Sequence, residues 1–150
     1  MPSFEERIAS YLLRMEELEK ARPEGDPEAQ LVPLVRELLE AFEGVTVVHE
    51  VRTGLGRPDM GVKRGGLLVG FVELKAPGKG VDPTRFRDPH DRKQWENFKN
   101  LPNLVYTDGR EFALFRQGEK VREVRLSQGE DTRLEEFFRD FLDWTPLVPK

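Results

Sequence analysis

Apolar residues Phe4, Ile8, Tyr11, Leu12, Met15 and Leu18 recur at helical spacing behind Ser3-Phe4-Glu5-Glu6, a capping-box pattern, and predict a first helix ending near Ala21. Arg22-Pro23-Glu24-Gly25 breaks that periodicity. Asp26-Pro27, an N-cap residue followed by proline at the first helical position, restarts it. Leu31, Leu34, Val35, Leu38, Leu39 and Phe42 then form one stripe that Gly44 ends. Pro33 sits near the start of this second helix and is tolerated there with some distortion.

Beyond Gly44 the period changes. Val45 to Val51 is β-branched and reads as a strand, and Pro58 to Val62 and Leu67 to Lys75 pair as a hairpin around Gly65-Gly66. A polar loop rich in Pro and Asp runs from Ala76 to about Pro89, and a short helix follows from about His90 to Asn100. Leu104 to Thr107 suits a buried strand reached by a helical crossover. Glu111 to Arg116 and Val121 to Leu126 continue as strands. A last helix opens at Thr132 and carries Leu134, Phe137, Phe138, Phe141 and Leu142. The order α-α-β-β-β-α-β-β-β-α implies an α/β fold with a mixed central sheet flanked by helices.

Composition narrows the chemistry this frame can hold. At 150 residues and 37% apolar content the chain suits a single domain, with residues 1–25 as helix and connector, 26–107 as core and 108–150 as C-terminal strands and helix. Cysteine is absent and histidine occurs only at His49 and His90, which excludes thiolate chemistry and Cys-based zinc sites and leaves oxygen as the main metal donor. The apolar run Leu67 to Val72 is too short to span a bilayer, so no membrane association is expected. The acidic opening Met1 to Glu6 lacks the pattern of a leader and implies a cytoplasmic protein. A net charge of −4 hides an asymmetry, since Val51 to Arg125 carries 16 basic against 10 acidic residues. That basic centre suits a polyanionic partner.

Within that centre lie the residues with the clearest chemical pattern. Asp59 follows Pro58, and Glu73 and Lys75 lie across the predicted hairpin turn, which brings both carboxylates to one end of a sheet. Glu73 and Lys75, two apart on a strand, face one side while Leu74 faces the core. Two carboxylates and the Leu74 backbone carbonyl offer hard oxygen ligands suited to Mg²⁺, and Lys75 would lie beside an attacking water or a scissile phosphate. This is the chemistry of phosphodiester hydrolysis.

Pro58-Asp59 followed by Glu73-Leu74-Lys75, on consecutive strands after a helix, resembles the PD-(D/E)xK nuclease superfamily, with its restriction-endonuclease-like α-β-β-β-α-β core. Three segments carry a narrower likeness, to the N-terminal nuclease domains of single-chain Type IIG and Type ISP restriction-modification enzymes. They are Pro27 to Leu34, then Gly56-Arg57-Pro58-Asp59 with Gly70 to Lys75, and finally Gln94 to Phe98 leading into Leu101 to Phe112.

The resemblance implies a DNA endonuclease module that leaves 5′-phosphate and 3′-hydroxyl ends. It uses Mg²⁺, with Mn²⁺ able to replace it, and acts on double-stranded DNA. It also implies methyltransferase and target-recognition domains elsewhere in a longer protein, the stretch Asp143 to Lys150 reading as the start of a linker. Pairing of two nuclease domains would allow both strands to be cut. Glu28 corresponds to an extra acid near the metal site and Gln94 to a helix glutamine approaching the active site or the DNA. Leu31 and Phe98 stand where relatives carry tyrosine, so contacts made by those hydroxyls do not transfer.

Lys79, Arg85, Arg87, Arg92 and Lys93 lie on or beside the long loop as candidate phosphate contacts, and His90 reads as a loop histidine near a helix start. Trp95 and the C-terminal phenylalanines read as core. Two other readings remain open from the residues. One is a DNA-binding or interdomain docking module with a silent nuclease site, and the other is a recombination-type exonuclease. Only an endonuclease cuts covalently closed circular DNA.

Overall fold

The computed structural model describes residues 3–21, 27–126 and 131–145. Two long helices, α1 (Phe4–Ala21) and α2 (Pro27–Glu40), precede strands β1 (Val45–His49), β2 (Met60–Arg64) and β3 (Leu67–Leu74). A 3-10 turn (Pro83–Arg85) and helix α3 (Pro89–Phe98) lead to β4 (Leu104–Thr107), β5 (Glu111–Arg116), β6 (Glu119–Arg125) and helix α4 (Asp131–Leu142). The six strands form one sheet in sequence order, antiparallel throughout except for the parallel pair β3 and β4 that the α3 crossover joins. The expected α-β-β-β-α-β core is therefore present, with an added N-terminal helix and a C-terminal hairpin and helix.

Local chemistry explains most boundaries. The Ser3 hydroxyl accepts from the Glu6 amide at 3.2 Å, as its capping pattern requires. The expected break at Arg22 to Gly25 and the Asp26 cap lie outside the described residues. Pro33 is the seventh residue of α2 rather than part of its first turn, and the helix runs through it with the proline ring exposed. β1 is shorter than expected because Glu50 turns left-handed at φ 51°. β2 starts at Met60 instead of Pro58, since proline offers no amide to the ladder and the Asp59 amide is engaged by a side chain. The 3-10 turn was not legible as an element and is capped by Asp82, whose carboxylate accepts from the Thr84 amide at 3.0 Å.

Alternation along the strands sorts two cores. Val72, Leu74, Val105, Phe112 and Leu114 face α1, α2 and α4, whereas Phe71, Leu104, Tyr106, Ala113 and Phe115 face α3 with Phe86, Phe98 and Leu101. Trp95 packs against this second core and the C-terminal phenylalanines sit in the first, as expected. Phe98 and Leu31 are both buried.

The Leu101-Pro102-Asn103 turn has a structural task. The Asn103 side-chain amide donates to the Val69 and Phe141 carbonyls, each at 2.8 Å, tying β3 to α4 beside Gly70. A Cβ at Gly70 would lie 2.4 Å from the Phe141 ring, so only glycine permits that approach. Likewise Asp108 accepts from the amides of Arg110, Glu111 and Gly80, closing the turn after β4 and anchoring the loop that follows β3.

Candidate active site

The β2–β3 register places Asp59, one residue ahead of β2, opposite Glu73. The two acids are cross-linked through backbone. Asp59 donates its amide to Glu73 Oε1 at 3.1 Å, and the Leu74 amide donates to Asp59 Oδ2 at 2.8 Å. Both carboxylates are thereby fixed at the edge where β2 begins and β3 ends. Glu73 is only 4% exposed. Burial, with the negative charge of Asp59 adding to it and Lys75 partly offsetting both, pushes the Glu73 carboxyl up to about 9.

Lys75 is more enclosed than a residue awaiting substrate on an open surface. It is 2% exposed, and its Nζ donates to Asp91 Oδ1 and to Gln94 Oε1, each at 2.8 Å. The ammonium also lies 5.4 Å from the centroid of Phe86 and 5.6 Å from that of Tyr106, within range of cation–π attraction. Asp91, 4% exposed, forms a second ion pair, with Lys79. Burial pushes the Asp91 carboxyl up, but the hydrogen bonds from Lys75 and Lys79 outweigh it and hold the group below the ordinary aspartate value.

Asp91 was not among the residues the sequence singled out, although Asp91 and Gln94, three apart on a helix, share a face. Tyr106 was also missed as a polar group. It pairs with Glu73 across the parallel ladder, and its buried hydroxyl has no hydrogen-bond partner among the described residues. Burial, and then the charges of Glu73, Asp91 and Asp59, raise its pKa.

The remaining candidates divide among three clefts. Glu28, in the first turn of α2, lines one of about 270 Å³ with Asp59 and Leu74, and His49 and Glu50 border it too. Gln94 and Lys93 border a second, of about 450 Å³, with His90 and Arg57. Arg85, Arg87 and Arg92 surround a third, of about 620 Å³, over Phe86. Lys79 is held by Asp91, while Arg85 ion-pairs with Asp82 at 3.6 Å.

The Asp59–Glu73 pair offers the hard oxygen donors that a divalent cation would take. Two crowded carboxylates, one of them pushed up by burial and by the charge of the other, are what a nearby cation would stabilise in ionised form. Among the described residues no group of three or more His, Asp or Glu side chains is arranged around a metal position. An ion held by Asp59 and Glu73 would need further oxygens from backbone, water or substrate.

The raised Glu73 value has a measurable consequence. The folded chain holds a proton on Glu73 that the unfolded chain releases near the ordinary value of 4.5, so this contribution to stability is lost as pH rises from 4.5 towards 9. In chelator, the melting temperature of the native protein should fall across that window relative to Glu73→Gln, in which the neutral amide removes the dependence. Parallel pH profiles for the two would contradict it. The N-cap of α3 offers a smaller test. Asp88 accepts from the His90 amide at 2.8 Å, so Asp88→Ala should cost about 1 kcal/mol in urea unfolding.

Neither a protein-family profile nor a curated protein matches this chain. A solved structure described as a cryo-EM structure of a DrdV–DNA complex is similar, with a TM-score of 0.72 at 21% sequence identity, over 96% of this chain. The match covers 14% of that protein's chain, so the domain described here corresponds to a small part of a much longer polypeptide. The likeness is one of fold. The architecture is a mixed α/β sheet flanked by four helices, consistent with a restriction-endonuclease-like core. Among the described residues no helix is long and apolar enough to cross a membrane.

Proposed function

We propose that this chain is a Mg²⁺-dependent DNA endonuclease domain of the PD-(D/E)xK type, the cleavage module of a longer restriction-modification protein. One observation carries the reading. Asp59 and Glu73 are locked together at the end of a hairpin, the Glu73 carboxylate by the Asp59 amide and the Asp59 carboxylate by the Leu74 amide, with Lys75 two residues further on and its ammonium held by Asp91 and Gln94. A buried ion-paired hairpin of purely structural purpose does not need two carboxylates crowded together, because their repulsion costs stability. The fold shared with a protein solved on DNA and the basic centre of the sequence support DNA as the substrate.

In this reading Asp59 and Glu73 hold the cation, with the Leu74 carbonyl beside them and Glu28 across the same cleft. A bound Mg²⁺ supplies Lewis acidity and lowers the pKa of water. Lys75, fixed by Asp91 and Gln94, presents positive charge where the phosphorane-like oxygens develop negative charge, and its fixed position avoids reorganisation during the reaction. Lys79, Arg85, Arg87, Arg92 and Lys93 hold the flanking backbone phosphates, which positions the duplex without reading its sequence.

The test is conversion of covalently closed circular duplex DNA to nicked or linear forms by the wild-type chain in Mg²⁺ or Mn²⁺ and not in chelator. Closed circles that stay intact while linear duplexes are degraded from their ends would assign an exonuclease instead. Intact DNA of both kinds, bound with a steep salt dependence, would assign a docking module.

A further inference from the structure

The carboxylate that holds the site lysine lies outside the motif that announces the site. Asp91 is buried, yet it is contacted by two lysines that reach it from different places: Lys75 from the end of β3 and Lys79 from the loop beyond. Gln94, one helical turn further along α3, bonds the same Lys75 Nζ from the same helix face. The Asp88 cap and Pro89 fix where α3 begins, and so fix where those two acceptors stand. Stability alone is a weak reason for such an arrangement, since buried ion pairs seldom outperform apolar side chains of similar size. Next to them, Phe86 and Tyr106 close around the ammonium and leave it little room to move.

We infer that Asp91 is a positioning residue for Lys75: from α3 it fixes the Nζ beside the Asp59–Glu73 pair, and through Lys79 it ties the loop after β3 to that same point. The inference rests on the proposed nuclease reading, because it assigns Asp91 to the step in which Lys75 acts. Asp91 touches neither the reacting phosphate nor the metal carboxylates in this assignment. It acts through the lysine. Lys79 is the partly exposed partner of the pair, so a DNA phosphate that engages it meets the same anchor that sets Lys75.

Two arms test this. Single-turnover cleavage of closed circular DNA at saturating protein should slow by about 10²-fold in Asp91→Ala, the scale of a misplaced catalytic group, with a smaller loss in Asp91→Asn, which keeps the shape and an acceptor oxygen. The dissociation constant for the same DNA in chelator should stay within about 2-fold of wild type in both variants, as misplacement without loss of contact requires. Wild-type saturated rates in both variants, or a loss confined to DNA affinity, would overturn the inference. The second arm needs no activity. The Lys75 ammonium should give a slowly exchanging signal in ¹⁵N-lysine NMR spectra, assigned by its loss in Lys75→Met, and that signal should vanish in Asp91→Ala. Its persistence there would overturn the positioning role. A wild-type chain that never cleaves DNA overturns the nuclease reading, and the ammonium signal then still decides whether Asp91 holds Lys75.

Discussion

Lys75→Met should slow DNA cleavage by about 10²–10³-fold, the usual consequence of deleting one preorganised charge from a site that stabilises an oxyanion. Methionine retains most of the aliphatic stem and packs against Phe86 and Tyr106, which now flank the ammonium. Asp91 keeps Lys79 as a partner, so the substitution does not leave an isolated buried charge. The variant should therefore fold, bind duplex DNA in chelator nearly as well as wild type, and fail in the chemical step. A raised KM alone, with kcat unchanged, would move Lys75 from catalysis to ground-state binding.

The largest loss of stability is expected at Phe138. This side chain is fully buried in α4, and its ring meets Phe4 of α1, Phe42 after α2, Phe112 of β5 and Phe137, with centroids 5.6 to 6.5 Å apart. Edge-on contacts of this kind add to the stabilisation from the area each ring buries. Phe138→Ala opens a cavity where three elements converge and should cost about 3–5 kcal/mol, read as a lower urea midpoint at unchanged slope. A loss below about 1 kcal/mol would mean that α1 and α4 are not held through this cluster.

Much of the fold was legible because its cues are local. The stripe of Leu31, Leu34, Val35, Leu38 and Leu39 specifies a helix with one buried face, and all five are buried. Gly65-Gly66 takes the positive φ values of 58° and 83° that its hairpin turn needs. Asp59, Glu73 and Lys75 were legible as a group because a single hairpin register brings them together.

What stayed hidden depends on contacts between elements. Lys75 meets Asp91 across 16 positions of chain, through a loop whose path no periodicity encodes. Asp91 falls in the polar first turn of α3, and nothing in that short stretch of sequence distinguishes a buried acid from a solvated one. The Tyr106 hydroxyl was masked similarly, since Leu104-Val105-Tyr106-Thr107 reads as an apolar strand and all four residues are indeed buried. The five loop cations looked equivalent in sequence. In the fold Lys79 belongs to the Lys75 cluster, the three arginines to one cleft and Lys93 to another.

In the proposed function Asp59 and Glu73 form one metal-dependent cutting site. Cleavage of closed circular DNA in Mg²⁺ by the wild type, Asp59→Asn and Glu73→Gln, compared at equal folded fraction, tests it most directly. Wild-type cutting that disappears in chelator, with both isosteric variants inactive yet still folded and still binding DNA, is the predicted result. Cutting by either variant at the wild-type rate would contradict it.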